Sequence, residues 1–231
     1  MSSKNNTDGP QSPEPKPPRV PSVRPGQKGG KRDENRRRKV SSLCNAGLTL
    51  MLGRGLENVT VDEIAKFAGV AKGSFYRYFN DKEELVQSIL EPLRVQLQMS
   101  FDQGSALIGK ASDSESLIAA YDQIARDMQS TLLKFPREIT FYLQECRGPR
   151  VAQRRPVRAL ADEIAEKAIA LTDVAHEQGL LAPFNSRVSA LAVVGAAERM
   201  LFEVLSGGDL GAPIAAAEAL VRIVMDGLRQ K

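Results

Sequence analysis

The sequence predicts an all-α protein. Apolar residues recur at helical spacing along most of the chain after residue 32. No segment shows the strict alternation of polar and apolar residues that marks a half-buried strand. Gly and Pro fall between the apolar stretches, where they end helices and start turns. We predict about nine helices, arranged as a three-helix domain over residues 33–80 and a larger helical domain over residues 81–231.

The first 32 residues have a different composition. Seven of the thirteen prolines lie in the first 25 residues, and residues 1–39 hold eleven Lys and Arg against four Asp and Glu, a net charge of +7. Residues 40–231 hold twenty-one against twenty-four, a net of −3, so most of the basicity precedes the helices. A polar, Pro-rich segment cannot bury a core, and we predict a disordered basic tail over residues 1–32.

The first helix is predicted from about Asp33 to Leu52. Six residues at helical spacing form its core stripe, and Gly53 and Gly55 are expected to end it. The stripe consists of Val40, Leu43, Cys44, Gly47, Leu50 and Met51.

Residues 60–82 predict two short helices joined by a tight turn. Thr60 and Glu63 have the spacing of a capping box, in which each side chain satisfies the other residue's free backbone N–H. Ala65 is small enough for two helices to cross closely, and Gly69 can adopt the positive φ that the turn requires. A buried face is predicted for Ile64, Ala68, Val70 and Phe75.

The second of these helices carries small, polar, basic and hydroxyl-bearing residues on its other face. Such residues suit contact with a major groove and its phosphates, so the segment is predicted to be a helix-turn-helix DNA-binding unit. The residues are Lys72, Gly73, Ser74, Tyr76, Arg77 and Tyr78. Asn80 and Glu83 form a second potential capping box ahead of the next helix.

The fourth helix is predicted from about Asp81 past Leu97, with Pro92 expected to kink it by removing one backbone hydrogen bond. Its inward residues are Leu85, Ile89, Leu93 and Leu97. Gly and Pro breaks then divide the remainder into five helices. These helices are predicted over residues 114–134, 137–147, 151–178, 186–206 and 212–229.

The stretch GVAKGSFYRYFNDKEEL, within residues 36–93, resembles the amino-terminal domain of TetR-type (tetracycline-repressor family) transcriptional regulators. The resemblance implies a homodimer that binds a palindromic operator and is released when a small molecule fills a pocket in its carboxy-terminal domain. It implies phosphate contacts for Thr60, Tyr76 and Lys82. It also implies base or backbone contacts for Lys72, Gly73 and Ser74. Tyr78 stands where the family often has His, and Ala71 stands where it often has a capping Ser or Thr.

The resemblance locates the pocket among helices four to eight. The candidate lining residues there are Phe101, Tyr121, Met128, Phe141, Tyr142 and His176, with Glu198 and Arg199 as possible polar anchors. For each of them, ordinary packing is the alternative. A mainly apolar or aromatic ligand would suit such a lining.

Helices eight and nine are rich in Ala and Gly and apolar over wide faces. Small residues allow close helix approach, and a broad apolar face favours a partner subunit. We therefore expect these helices to form the homodimer interface; packing within the monomer alone is the alternative.

Other classes of function find little support in the sequence. One His, no Gly-rich phosphate loop and no nucleophile with a base at motif spacing argue against an enzyme. No metal-ligand cluster or cofactor motif occurs. No apolar run approaches the roughly 20 residues that span a bilayer, and no secretory signal is recognised. We expect a cytoplasmic protein that contacts no membrane.

Two isolated cysteines, Cys44 and Cys146, are expected to serve in apolar packing. The basic segment KGGKRDENRRRK is predicted to contact DNA phosphates or the minor groove, with a solvated leader as the alternative. Two further functions stay open: a sequence-independent DNA-architectural protein, and a transcriptional activator of the same fold.

Overall fold

The computed structural model describes residues 30–182 and 184–228, without the side chains of residues 31, 213, 214 and 228. Residues 1–29 of the predicted disordered tail lie outside the described residues. The predicted tail limit at residue 32 was wrong, because Lys31 and Arg32 belong to the first helix. The regular structure of the described residues consists of nine α-helices and one short 3-10 helix, so the predicted all-α class and helix number are confirmed. The α-helices are α1 (Lys31–Arg54), α2 (Val61–Phe67), α3 (Lys72–Phe75), α4 (Lys82–Ile108), α5 (Ser114–Lys134), α6 (Pro136–Glu145), α7 (Arg155–Glu177), α8 (Ser186–Leu205) and α9 (Pro213–Leu228), and the 3-10 helix covers Ala152–Arg154.

Two predicted helix ends were wrong. Helix α1 continues through Gly53 and ends before Gly55, whose φ of +80° takes the chain out of the helix. Helix α3 ends at Phe75, whereas the sequence predicted a helix through Tyr78; residues 76–78 form a turn instead. Gly73 and Ser74 are weak helix formers, and Ala71 offers no side-chain cap to offset that weakness.

The predicted capping box at Asn80 and Glu83 was wrong by one residue. The N-cap of α4 is Asp81, whose carboxylate accepts a hydrogen bond from the Glu84 N–H at 2.9 Å. The Glu84 carboxylate in turn accepts from the Asn80 N–H at 2.7 Å. Helix α4 then runs without interruption past Pro92.

One hydrophobic core joins α1–α4 to α6 and the start of α7. Its fully buried side chains include Leu43 and Met51 of α1, Phe75 of α3 and Leu85 of α4. Gly47 is buried in the same place, where an added Cβ would lie 2.8 Å from Leu85 Cδ2. The predicted core stripe of α1 therefore includes one position where a larger residue would require the Leu85 side chain on α4 to shift.

A second core cluster lies among the end of α4, α5, α7 and α9, around Ile108, Leu117 and Ala175. Both cysteines are free thiols, half-buried against the first core. Burial raises the pKa of the Cys44 thiol to about 11, which disfavours the reactive thiolate. This environment is consistent with the packing role expected for Cys44 and Cys146.

Contacts divide the chain into residues 1–37 and residues 38–231. The two cores, the candidate site and the cavity described below all lie in the second unit. The predicted domain limits, residues 33–80 and 81–231, stay a prediction.

Candidate functional site

The start of α2 is fixed by the predicted capping box. The Thr60 hydroxyl accepts a hydrogen bond from the Glu63 N–H at 3.3 Å, and the Glu63 carboxylate accepts from the Thr60 N–H at 2.8 Å. Arg54 at the end of α1 donates to the same carboxylate at 2.7 Å. The hydrogen bonds from Thr60, followed by the one from Arg54, lower the pKa of Glu63 to about 2. The orientation of α2 relative to the end of α1 is therefore held by a carboxylate that stays ionised at neutral pH.

The turn between α2 and α3 depends on Gly69, as the sequence predicted. Gly69 has a φ of +68°, and the following Val70 N–H donates to the Ala65 carbonyl at 2.9 Å. Ala65 is buried where the two helices meet. This short connection presents α3 at a fixed angle to α2.

Gly69→Ala is expected to lower the free energy of unfolding by about 1–2 kcal/mol, the cost of the left-handed conformation for a residue with a Cβ. No atom lies within 4 Å of the position that this Cβ would take, so the expected loss comes from the backbone alone. Gly53→Ala is the control, because Gly53 lies in α1 with equally open space and should gain stability. Urea denaturation followed by circular dichroism measures the free energy of unfolding of both variants. Equal effects would contradict the assignment of the loss to the left-handed backbone conformation of Gly69.

Most of the predicted DNA-contacting residues lie on the exposed side of α3 and the turn after it. Phe75 and Phe79 point into the core with ring centroids 5.5 Å apart, which leaves Tyr76 and Arg77 between them on the surface. Tyr76 is 51% exposed with its ring edge-on to Phe75, and Gly73 has no neighbour around its Cβ position. Exposed residues of this set are Thr60, Lys72, Gly73, Tyr76 and Arg77, whereas Ser74 and Tyr78 are half-buried.

Lys72 is already paired on this surface. Its ammonium lies 2.7 Å from the Asp62 carboxylate, with both side chains more than half exposed. The Asp62 hydrogen bond raises the pKa of Lys72, so the lysine keeps its charge at neutral pH. Because an exposed pair contributes only about 0–1 kcal/mol, a phosphate can replace Asp62 at little cost.

Lys82 has a structural role that the sequence did not reveal. Its ammonium donates to the Leu56 carbonyl at 2.7 Å and to the Val59 carbonyl at 2.9 Å, closing the loop between α1 and α2. Burial lowers the pKa of Lys82. One of its three N–H donors is left for the predicted phosphate contact, which stays a prediction.

A buried ion network attaches the same loop to the rest of the chain. The Glu145 carboxylate at the end of α6 accepts from the Leu56 N–H at 2.9 Å and from Arg154 Nε at 2.7 Å. Arg154 Nη1 lies 2.7 Å from the Glu57 carboxylate. Glu145 and Arg154 are both buried. Local sequence patterns do not predict this network, because its members are as far as 97 positions apart along the chain.

Helices α4–α9 enclose a largely apolar cavity with a volume of ≈ 330 Å³. Four of the six predicted pocket residues line it: Phe101, Tyr121, Met128 and Tyr142. The structure places the other two predicted residues elsewhere: Phe141 is fully buried in the first core, and His176 lies off the cavity. Of the two predicted polar anchors, Glu198 lines the cavity and Arg199 does not.

The polar contacts of the cavity centre on Glu198. Its Oε1 accepts a hydrogen bond from the Tyr142 hydroxyl at 2.6 Å, and its Oε2 lies 3.1 Å from Arg147 Nη2. Burial, and then the hydrogen bond to Glu198, raise the pKa of the Tyr142 phenol, so the hydroxyl keeps its proton. The hydroxyls of Thr131, Thr172 and Ser189, also in the lining, donate to carbonyls of their own helices.

None of the helices in the described residues combines the length and hydropathy required to cross a bilayer.

Residues 43–89 match the family model described as bacterial regulatory proteins, tetR family. The SrpR transcriptional regulator of Pseudomonas putida is 34% identical over 59 residues, which is 26% of this chain and 28% of that protein. This chain thus spans less than a third of that relative.

The BepR transcriptional repressor of Brucella suis biovar 1 aligns over a longer stretch. It is 29% identical over 168 residues, which is 67% of this chain and 76% of that protein. Among solved structures, NalD of Pseudomonas aeruginosa, described as the secondary repressor of the MexAB-OprM multidrug efflux pump, superposes with a TM-score of 0.67. Its identity is 18%, over 84% of this chain and 99% of that chain. At 18% identity, this structural similarity establishes the fold alone.

Proposed function

We propose that this chain is a ligand-responsive repressor of the TetR family of bacterial transcriptional regulators. The match of residues 43–89 to the family model and the 29% identity to BepR over 168 residues support this proposal. In this proposal a homodimer binds a palindromic operator through its two helix-turn-helix units. A small molecule bound in the cavity of α4–α9 stabilises a state that no longer fits the operator. A difference of about 1–3 kcal/mol between the ligand's binding free energies for the two states is enough to change the occupancy of the operator.

One observation carries the DNA-binding part of this proposal. The core residues Phe75 and Phe79 are anchored inside, so that Lys72, Tyr76 and Arg77 are held exposed on a fixed scaffold. Cationic and hydroxyl groups in this arrangement suit phosphates and base edges in a major groove.

The homodimer is supported by exposed apolar residues on α8 and α9. On α8, Val188, Leu191 and Phe202 recur on one face with the small Gly195 between them. On α9, Ile223 is 71% exposed and shares a helix face with two exposed alanines. Clusters of this kind favour burial against another surface. A two-fold pair of recognition helices about 34 Å apart would match successive major grooves.

Lys72→Ala and Tyr76→Phe are each expected to weaken operator binding without changing thermal stability. Lys72→Ala removes one phosphate contact, so the slope of log K against log salt should become shallower by about 0.9. Tyr76→Phe removes only a hydroxyl and keeps the ring that lies edge-on to Phe75. Salt-titrated fluorescence anisotropy with labelled operator measures both effects.

Lys110→Ala is the matched control for these variants, because Lys110 is an exposed lysine in the turn after α4. It should bind operator like the unaltered protein. If Lys72→Ala and Tyr76→Phe also bind normally, the assignment of the recognition surface is wrong.

The operator itself is best recovered by selecting DNA from a random pool with the full chain. A palindrome with half-sites about one helical turn apart would support a dimeric regulator. Recovery without sequence preference would favour the architectural alternative. Transcription from a promoter carrying the selected site then separates repression from activation.

A further inference from the structure

The cavity contains a single carboxylate in an otherwise apolar lining. Among the described residues that line it, Glu198 is the one that carries a formal charge, and no Lys, Arg or His joins it there. The Glu198 side chain is 18% exposed. A negative group in apolar surroundings attracts a positive partner more strongly than it would in water.

Glu198 also has acceptor capacity to spare. A carboxylate offers about four lone-pair positions, and the hydrogen bonds from Tyr142 and Arg147 occupy two of them. The Arg147 side chain is 70% exposed, so this ion pair is weak and readily exchanged. An ammonium group entering from the cavity can therefore join or replace Arg147 at Glu198.

The rest of the lining fits an apolar or aromatic body. Phe101, Leu171 and Val221 present hydrocarbon to the cavity. Tyr121 and Gln129 also line it and carry a hydroxyl and an amide. They can add neutral hydrogen bonds to a ligand. A carboxylate or phosphate ligand would meet Glu198 without a basic side chain among the described lining residues.

We propose that the cavity binds an organic cation, an apolar or aromatic body with a protonated amine, and that the amine pairs with Glu198. This proposal rests on the proposed function in one respect, because it takes the cavity to be the site where the effector binds. It names the class of ligand for that site.

Three probes with the same aromatic body test the charge preference: naphthylmethylamine, naphthylmethanol and naphthoic acid, which at neutral pH are a cation, a neutral molecule and an anion. Isothermal titration calorimetry with the full chain should rank the amine above the alcohol by about tenfold, equivalent to about 1.4 kcal/mol, and the acid last. If the amine fails to bind, or if the acid binds as tightly as the amine, the proposal is overturned.

Glu198→Gln keeps the shape and removes the charge, so amine affinity should fall to that of the alcohol. Glu203→Gln is the matched control, because Glu203 lies on the same helix outside the cavity, paired with Arg199; its amine affinity should not change. Tyr142→Phe frees one lone pair of Glu198 and should preserve or increase amine binding. An amine affinity that ignores Glu198→Gln also overturns the proposal. Should Glu198→Gln fail to fold, the ranking of the three probes on the unaltered chain decides alone.

Release of selected DNA is measured separately with the same probes. Glu198-dependent amine binding without any change in DNA affinity would support the ligand class and contradict the proposed effector response. DNA release by the acid and not by the amine would support the proposed effector response and contradict the proposed ligand class.

Discussion

Replacing Arg154 by Ala is expected to lower the free energy of unfolding by about 3–5 kcal/mol, since it leaves a buried carboxylate without its cation. Arg154 makes two contacts of 2.7 Å with Glu145, through Nε and Nη2, and both residues are buried. Arg154 also reaches Glu57 at 2.7 Å. The loss combines the unpaired charge of Glu145 with the space left by the guanidinium.

Arg187→Ala is the control for this prediction, because Arg187 pairs with Glu166 at 3.5 Å and both side chains are about two-thirds exposed. Its effect should stay within about 0.5 kcal/mol. Urea denaturation of both variants, followed by circular dichroism, gives the comparison. Similar midpoints for the two variants would show that the buried network contributes no more than a surface pair.

The double variant Glu145→Leu with Arg154→Met tests the origin of the loss. Removing both charges avoids an unpaired carboxylate, and such apolar replacements are often neutral or better. Glu145 additionally accepts the Leu56 N–H, which the double variant leaves without its acceptor. The double variant should therefore recover part of the stability lost in Arg154→Ala, with a deficit of about 1–3 kcal/mol for the buried N–H.

Local chemistry explains which parts of the fold could be predicted. The Thr60 and Glu63 capping box and the positive φ of Gly69 depend on residues within four positions of each other, so the sequence shows them directly. The error at the start of α4 has a local cause too. Asn80 and Asp81 are both good N-cap residues, and each has a glutamate three positions later. Local sequence cannot choose between these two registers.

Long-range packing explains what could not be predicted. Phe141 and Tyr142 are neighbours on α6, yet Phe141 is fully buried in the core and Tyr142 faces the cavity. Which of them reaches the cavity depends on the rotation of α6 against the helices around it, and periodicity within one ten-residue helix does not fix that rotation. Likewise, the contacts of Arg154 with Glu57 and of Lys82 with two carbonyls join segments distant in sequence.

The proposed homodimer leads to the second prediction with a large expected effect. Ile223→Glu on α9 should weaken self-association by at least about a hundredfold, which corresponds to about 2.8 kcal/mol. In a two-fold interface the substitution occurs twice, and each copy places a carboxylate in an apolar contact where desolvation without a partner is costly. Sedimentation velocity over a concentration series gives the dissociation constant.

Leu133→Glu separates a real interface effect from a general effect of added charge. Leu133 lies near the end of α5 and is 77% exposed, slightly more than Ile223 at 71%. It lies on neither α8 nor α9, so the same substitution there should leave the dimer intact. The Ile223→Glu monomer should also lose operator affinity, because one recognition helix reaches only one half-site. If Ile223→Glu leaves the dimer unchanged, this face of α9 is not part of the interface. The exposed apolar side chains of α8 would then have to form the interface without α9.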